Sequence, residues 1–193
     1  MTLSPKSPPE MDRSSPRPGA LLRRWGVTWG GWRDNRRGEW WLLAQLSLIA
    51  AHLLPPWPAP GSWGYAWPLP LAAAGAALFL LGLLLALQAL LRLGPSLTPL
   101  PEPMAGAALV TTGAYARCRH PLYQAVLVCS LGVSLALGSL LHLALLLGLC
   151  AVLGGKARRE ERALLRAHSD YAAYQARTAA IIPRCPWLDW RAL

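Results

Sequence analysis

Charge comes in blocks along this chain. No Lys, Arg, Asp or Glu occurs from residue 40 to 91, and none from 120 to 155. The 19 Lys/Arg and 9 Asp/Glu all fall in 1–39, 92–119 and 156–193. Uncharged apolar stretches of that length read as membrane-spanning helices. The first candidate, 40–54, is stopped by Pro55-Pro56 after 15 residues. That is roughly 22 Å of helix, short for a hydrocarbon core about 30 Å thick. The second, 69–91, has 23 residues, roughly 35 Å, enough to cross with some tilt. As one helix, 122–153 would run roughly 48 Å, far too long. A break at Gly138-Ser139 makes it a tight hairpin of two short spans. The pattern predicts an all-α, polytopic membrane protein of about four transmembrane helices, with a cytoplasmic C-terminal helix after them.

Composition sharpens this picture. The chain is 54% hydrophobic and only 15% charged, against about 25% charged in an ordinary soluble domain. Its net charge of +10 would by itself suggest a nucleic-acid binder, but no soluble core is available to carry one. With four spans, the three charged segments share one face. They hold 8, 3 and 8 basic residues, and the opposite loops hold none. The Lys/Arg bias places that face, with both termini, in the cytoplasm. Three parts follow: a basic Pro/Ser-rich segment 1–39, two spans in 40–91, and a unit 92–193 with the hairpin and the C-terminal helix. Pro5, Pro8, Pro9, Pro16 and Pro18 predict disorder to about Gly19. The apolar run starts too far in for a signal peptide. Trp25, Trp29 and Trp32 among arginines suit the headgroup level.

Cys118, Cys129, Cys150 and Cys185 include no C-x-x-C pair. They support neither a disulfide framework nor a metal site, and read as packing residues. His52, His142 and Gln88 lie in apolar runs, where polar side chains face the bundle interior or join helices.

Chemistry concentrates on the cytoplasmic face in two clusters bracketing the hairpin. The first runs from Thr111 to Tyr123 and gathers Arg119, His120 and Tyr123 around a helix start, with Pro121 in the first turn. The second contains Lys156, Arg158, Arg159, Glu160 and Glu161, then Tyr171, Tyr174 and Arg177 at a spacing of three, one helical face. Tyrosine rings and a carboxylate suit a sulfonium or quaternary cation; Arg and His suit a carboxylate or phosphate. The same residues also read blandly. Glu160 and Glu161 could be a solvated face of i,i+4 pairs, the arginines could serve topology alone, and Tyr171 and Tyr174 could dock a surface helix.

Gly113 and Tyr115, Arg119-His120-Pro121-Leu122-Tyr123, the hairpin, Glu160-Glu161 and Tyr171/Tyr174 together resemble the isoprenylcysteine carboxyl methyltransferase family. Those integral-membrane enzymes look related to the phospholipid N-methyltransferases. The resemblance covers about residues 90–185. The chain departs from the family pattern at Ala114, Gln124 and His168-Ser169, where members often have Pro, Gly and Phe-Gly. The resemblance implies a cytoplasmic S-adenosylmethionine pocket lined by Tyr115, His120, Pro121, Leu122 and Tyr123, with Glu160 on the cofactor's polar end. It implies a lipophilic methyl acceptor entering from the bilayer, its carboxylate met by Lys156 with Arg159 close by. Carboxyl O-methylation of an isoprenylcysteine-like group needs no base. An amine acceptor must lose a proton, and His120 and Glu161 are the candidates to take it. Three readings follow: the carboxyl methyltransferase, a phospholipid N-methyltransferase, and a non-catalytic membrane protein binding anionic lipid or a partner.

Overall fold

The computed structural model describes residues 29–103, 106–185 and 187–190. The predicted disordered stretch and Trp25 lie outside these. Six helices follow in order: α1 (Trp29–Asp34), α2 (Glu39–Ala51), α3 (Leu69–Leu93), α4 (Pro121–Leu137), α5 (Leu140–Ala167) and α6 (Tyr171–Arg177). The described residues contain no strand, only a single bridge between Cys118 and Ala179. By length and apolar composition α3 and α5 can cross a membrane, whereas α4 is a shorter apolar helix. With 13 residues, α2 covers roughly 20 Å. It ends before Pro55-Pro56 because its last turn tightens: the N–H groups of His52, Leu53 and Leu54 reach back three residues, to Ile49, Ala50 and Ala51.

The hairpin turns at Gly138-Ser139. Gly138 has φ 57° and closes α4 through its N–H to the Ser134 carbonyl, a left-handed position that favours glycine. Trp67 fills the space a Cβ there would need. Ser139 caps α5, accepting from the His142 N–H, and also accepts from the Trp57 N–H at 3.0 Å. Nothing breaks the chain beyond residue 153, so α5 runs for 28 residues, roughly 42 Å. Its apolar part, 140–155, continues into the charged stretch 156–167. The Lys156–Arg162 cluster therefore sits on the same helix as the last apolar run.

Close backbone approach joins α3 to α4. A Cβ on Gly75 would fall 2.3 Å from the Ala136 nitrogen, and one on Gly132 would fall 2.6 Å from the Phe79 nitrogen. With apolar surroundings outside and inside, such helices gain cohesion from contact between small residues. At the hairpin end, His52 and His142 meet edge to face at 5.7 Å. His52 Nδ1 donates to the Leu48 carbonyl and Nε2 accepts from Ser130 Oγ, since a carbonyl cannot donate. The two histidines thus link α2, α4 and α5.

At the other end the chain after α6 folds back as a strap. The N–H groups of Arg119 and His120 donate to the carbonyls of Ala179 and Ala180, and Ile181 N–H donates to Leu188. Leu127, Leu149, Leu153, Ala157, Ile181, Leu188 and Trp190 form the buried cluster beneath it. The four cysteines are free thiols. Because Gly132 touches α3 backbone, G132V should force α3 and α4 apart and cost about 1–3 kcal/mol. A lower unfolding midpoint in detergent, unmatched by a valine at the open Gly30 position, is the expected result.

Candidate active site

Three segments build the site. Gly113, at φ 65°, opens a 3-10 turn through Ala116 that buries Tyr115. Pro121 starts α4, where its missing N–H removes one donor the first turn would leave without a helical partner, so His120 and Tyr123 are presented at the helix start. Helix α5 then brings Glu160 and Glu161 alongside.

Glu161 is fully buried. Arg119 Nε and Nη2 reach its two oxygens at 2.6 and 3.1 Å. His120 Nε2 donates at 2.8 Å, Gln175 Nε2 at 3.0 Å, and the Trp190 indole N–H donates as well. Every neighbour is a donor, so the carboxylate is ionised and saturated. Arg119 is equally consumed: Nη1 donates to the carbonyls of Gln175 and Thr178, and Nη2 also donates to that of Trp190.

Glu160, one residue earlier, turns to an open cavity of about 770 Å³, its mouth included. Tyr123 donates its hydroxyl to Glu160 Oε2 at 2.7 Å and stacks on His120 with ring centroids 5.2 Å apart. With Nε2–H committed to Glu161, His120 Nδ1 is the ring nitrogen on the Glu160 side, 3.8 Å from Glu160 Oε2. Tyr115, Tyr171 and Tyr174 complete the aromatic wall, while Leu109, Val110, Leu122 and Leu164 supply an apolar one. Burial raises the Tyr115 hydroxyl well above its usual value, reinforced by the charge on Glu160. Burial likewise raises Tyr171 and Tyr174, and pushes the Cys118 thiol up to about 12. All four remain neutral at physiological pH. Tyr174 donates to the Tyr115 carbonyl at 2.5 Å. The Tyr171 hydroxyl, buried and lining the cavity, has no partner among the described residues, a vacancy in hydrogen bonding that a polar ligand can fill. Four tyrosines, one cavity-facing carboxylate and this orphaned hydroxyl form a donor set suited to an onium cation with polar appendages.

The cavity thus gathers Tyr115, His120, Leu122, Tyr123 and Glu160, whereas other candidate residues lie elsewhere. Pro121 is buried in the first turn of α4 behind the wall. Glu161 faces the interior, and its saturated carboxylate is placed to orient His120 rather than to accept a proton. Lys156 is buried, and its ammonium donates to Gln45 Oε1 at 2.7 Å and the Pro99 carbonyl at 2.9 Å, beside the Tyr123 ring. Arg159 donates to the carbonyls of Asn35 and Arg36 and lines a different cavity. Both cations are thus held by partners on α2, on the segment before it and on the segment after α3, contacts their spacing gave no sign of. Sequence reasoning also missed the walls supplied by 96–103 and 107–110 and the roles of Gln175 and Trp190. The first has no motif, and the others act only once the strap has folded back.

The sequence profile of the phospholipid methyltransferase family matches residues 71–170, and the chain belongs to this family of membrane methyltransferases. The family also takes in the isoprenylcysteine methyltransferase-like enzymes. Among curated relatives, cobalt-zinc-cadmium resistance protein CzcN of Cupriavidus metallidurans is 43% identical over 81 residues. Nickel-cobalt-cadmium resistance protein NccN of Alcaligenes xylosoxydans xylosoxydans is 40% identical over 81 residues. Each match covers 39% of this chain and 36% of the relative.

Removing the charge of Glu161 strands a buried guanidinium, and breaking a buried pair from one side costs about 3–5 kcal/mol. E161Q should therefore unfold at markedly lower temperature or denaturant, whereas Y171F, which deletes an unpartnered hydroxyl, should stay within about 0.5 kcal/mol of wild type. Equal stability of E161Q and wild type would refute the hub.

Proposed function

We propose that the protein is an S-adenosylmethionine-dependent methyltransferase acting on a lipophilic acceptor delivered from the bilayer. In this reading four helices cross the membrane, and both termini and the cavity lie on the cytoplasmic side. The observation that carries it is the tyrosine-lined cavity with Glu160 at its wall, in a chain of the phospholipid methyltransferase family. S-adenosylmethionine, when bound, supplies a methyl group already activated by a positively charged sulfur. Glu160 and the orphaned Tyr171 hydroxyl would hold its amino-acid end, Tyr115 and Tyr123 would flank the cation, and the leucines would cover the adenosine. The chain's contribution is alignment and exclusion of water.

For the acceptor, the cavity's charge favours an amine. Arg119 is the lining arginine, and its nitrogens are all engaged, so a carboxylate entering the cavity meets no free cation among the described residues. Methylation of an amine releases a proton. His120 Nδ1 would take it, with Glu161 holding the opposite ring nitrogen and Glu160 beside the imidazolium that results. A second reading, carboxyl methylation of an isoprenylcysteine-like group, rests on the Arg119–Tyr123 and Glu160-Glu161 motifs, with Lys156 or Arg159 turning from their present partners to meet the substrate.

Purified protein in detergent should bind labelled S-adenosylmethionine saturably. E160Q should weaken that binding about 10- to 100-fold, the worth of a hydrogen bond to a charged group. Absence of binding by folded wild type would overturn the enzyme reading. With lipid acceptors supplied, a methyl product stable to mild base identifies an amine, and a base-labile ester identifies a carboxylate. For an amine, H120N should lower kcat about 10²- to 10⁴-fold. For a carboxylate, kcat should not depend on a proton acceptor at this position.

A further inference from the structure

A second cavity lies on the other side of α5, lined by Glu102, Arg159, Arg162, Ala163 and Arg166 and enclosing about 500 Å³ including its mouth. At 3.6 residues per turn, Arg159, Arg162 and Arg166 centre roughly 150° around the helix from Glu160 and Leu164. The two cavities are therefore separate sites on opposed faces. Three guanidinium groups meet one carboxylate here, an excess of two positive charges. Among the described residues, none of the three arginines has a carboxylate within ion-pair distance. Arg159 is fixed in place by the Arg36 carbonyl at 2.8 Å and the Asn35 carbonyl at 3.3 Å. Arg162 Nε donates to the Arg158 carbonyl at 3.3 Å, and both Arg162 and Arg166 are exposed.

Position along the helix says what this cleft can meet. Arg159 stands six residues beyond Leu153, roughly 9 Å further along the axis, which is headgroup depth if the apolar stretch fills the hydrocarbon core. A Cβ on Gly38 would lie 3.2 Å from Arg159 Nε; two residues on, Trp40 is 58% exposed and donates its indole N–H to the Trp32 carbonyl at 2.9 Å, an aromatic arrangement typical of the membrane interface. Sidedness alone needs positive charge on this face. It does not need three guanidinium groups converging on one concavity, with one of them pinned by backbone carbonyls. Planar guanidinium donors match phosphate oxygens in pairs.

We propose that this cleft binds the phosphate of an anionic phospholipid from the leaflet in which α5 ends, apart from the methyl-transfer cavity. The full-length protein in detergent would be titrated with short-chain phosphatidylglycerol, short-chain phosphatidylcholine and inorganic phosphate, with the thermal midpoint as readout. Wild type should show a saturable rise with phosphatidylglycerol, larger than that with the zwitterionic lipid or inorganic phosphate. R162Q/R166Q should need at least fivefold more phosphatidylglycerol, while R177Q, a charge control on α6, should behave as wild type. Both substituted arginines of the cleft are exposed, so the unliganded midpoint should stay near that of wild type. Native mass spectrometry should show one retained phosphatidylglycerol that the double variant loses. No shift in wild type, or equal shifts in the double variant, would overturn the site. A full shift with inorganic phosphate alone would overturn the lipid assignment in favour of a soluble phosphate ligand. None of these outcomes depends on methyl transfer.

Discussion

A single buried carboxylate organises the end of this protein that carries the cavity. Glu161 collects donors from Arg119, His120, Gln175 and Trp190. These residues lie on the segment before α4, on α6 and on the C-terminal strap. A lone carboxylate in a dry interior is prohibitively costly, and a partly satisfied one is little better. These three segments and α5, which carries Glu161, must therefore assemble together or leave a charge exposed to an apolar environment. Arg119 extends the same logic outward, since its remaining donors go to three backbone carbonyls that helix and strap leave open. The hub's gain is geometric definition more than net stability, because the cost of desolvating the ions offsets much of their attraction.

Adjacent acidic residues take unlike roles because a helix turns 100° per residue. Glu161 points into the interior and holds the Nε2 side of His120. Glu160 points into the cavity and holds Tyr123 from the hydroxyl side. His120 lies between them, stacked on Tyr123, so one imidazole reads the interior with one nitrogen and the cavity with the other. Lys156, one turn earlier, braces the back of the Tyr123 ring while tying α5 to α2 and to the 97–103 segment. The wall of the cavity is thus supported by groups that do not line it.

The membrane-embedded part is held by different means. Glycines let α3 and α4 approach to backbone contact, and two histidines satisfied by serine hydroxyls and carbonyls join the helices at the hairpin end. Neither device depends on burying apolar surface away from water, which lipid surroundings make unrewarding. At the opposite end, where water returns, charged networks take over. Helix α5 passes through both regimes without interruption, so the cavity is fixed rigidly to the bundle.

Helical class, the apolar blocks and the hairpin turn at Gly138-Ser139 were legible in the sequence, as was the stretch of chain that brings Tyr115, His120, Leu122 and Tyr123 to the cavity. Periodicity, charge gaps and local turn chemistry are properties of neighbouring residues, and each is written in the order of the chain. The Arg119–Tyr123 motif and the tyrosines at 171 and 174 were visible for the same reason. Helix α5 continues past its apolar stretch into 156–167 because no breaker stands there. What Glu161, Lys156 and Arg159 do was decided only by tertiary structure. Their partners lie 14 to 124 residues away, on segments with no motif of their own. A charged side chain looks alike in sequence whether it faces solvent, a ligand or another buried charge. Only the fold sets which of these it meets, because the electrostatic cost of burial depends on everything that surrounds the group at once.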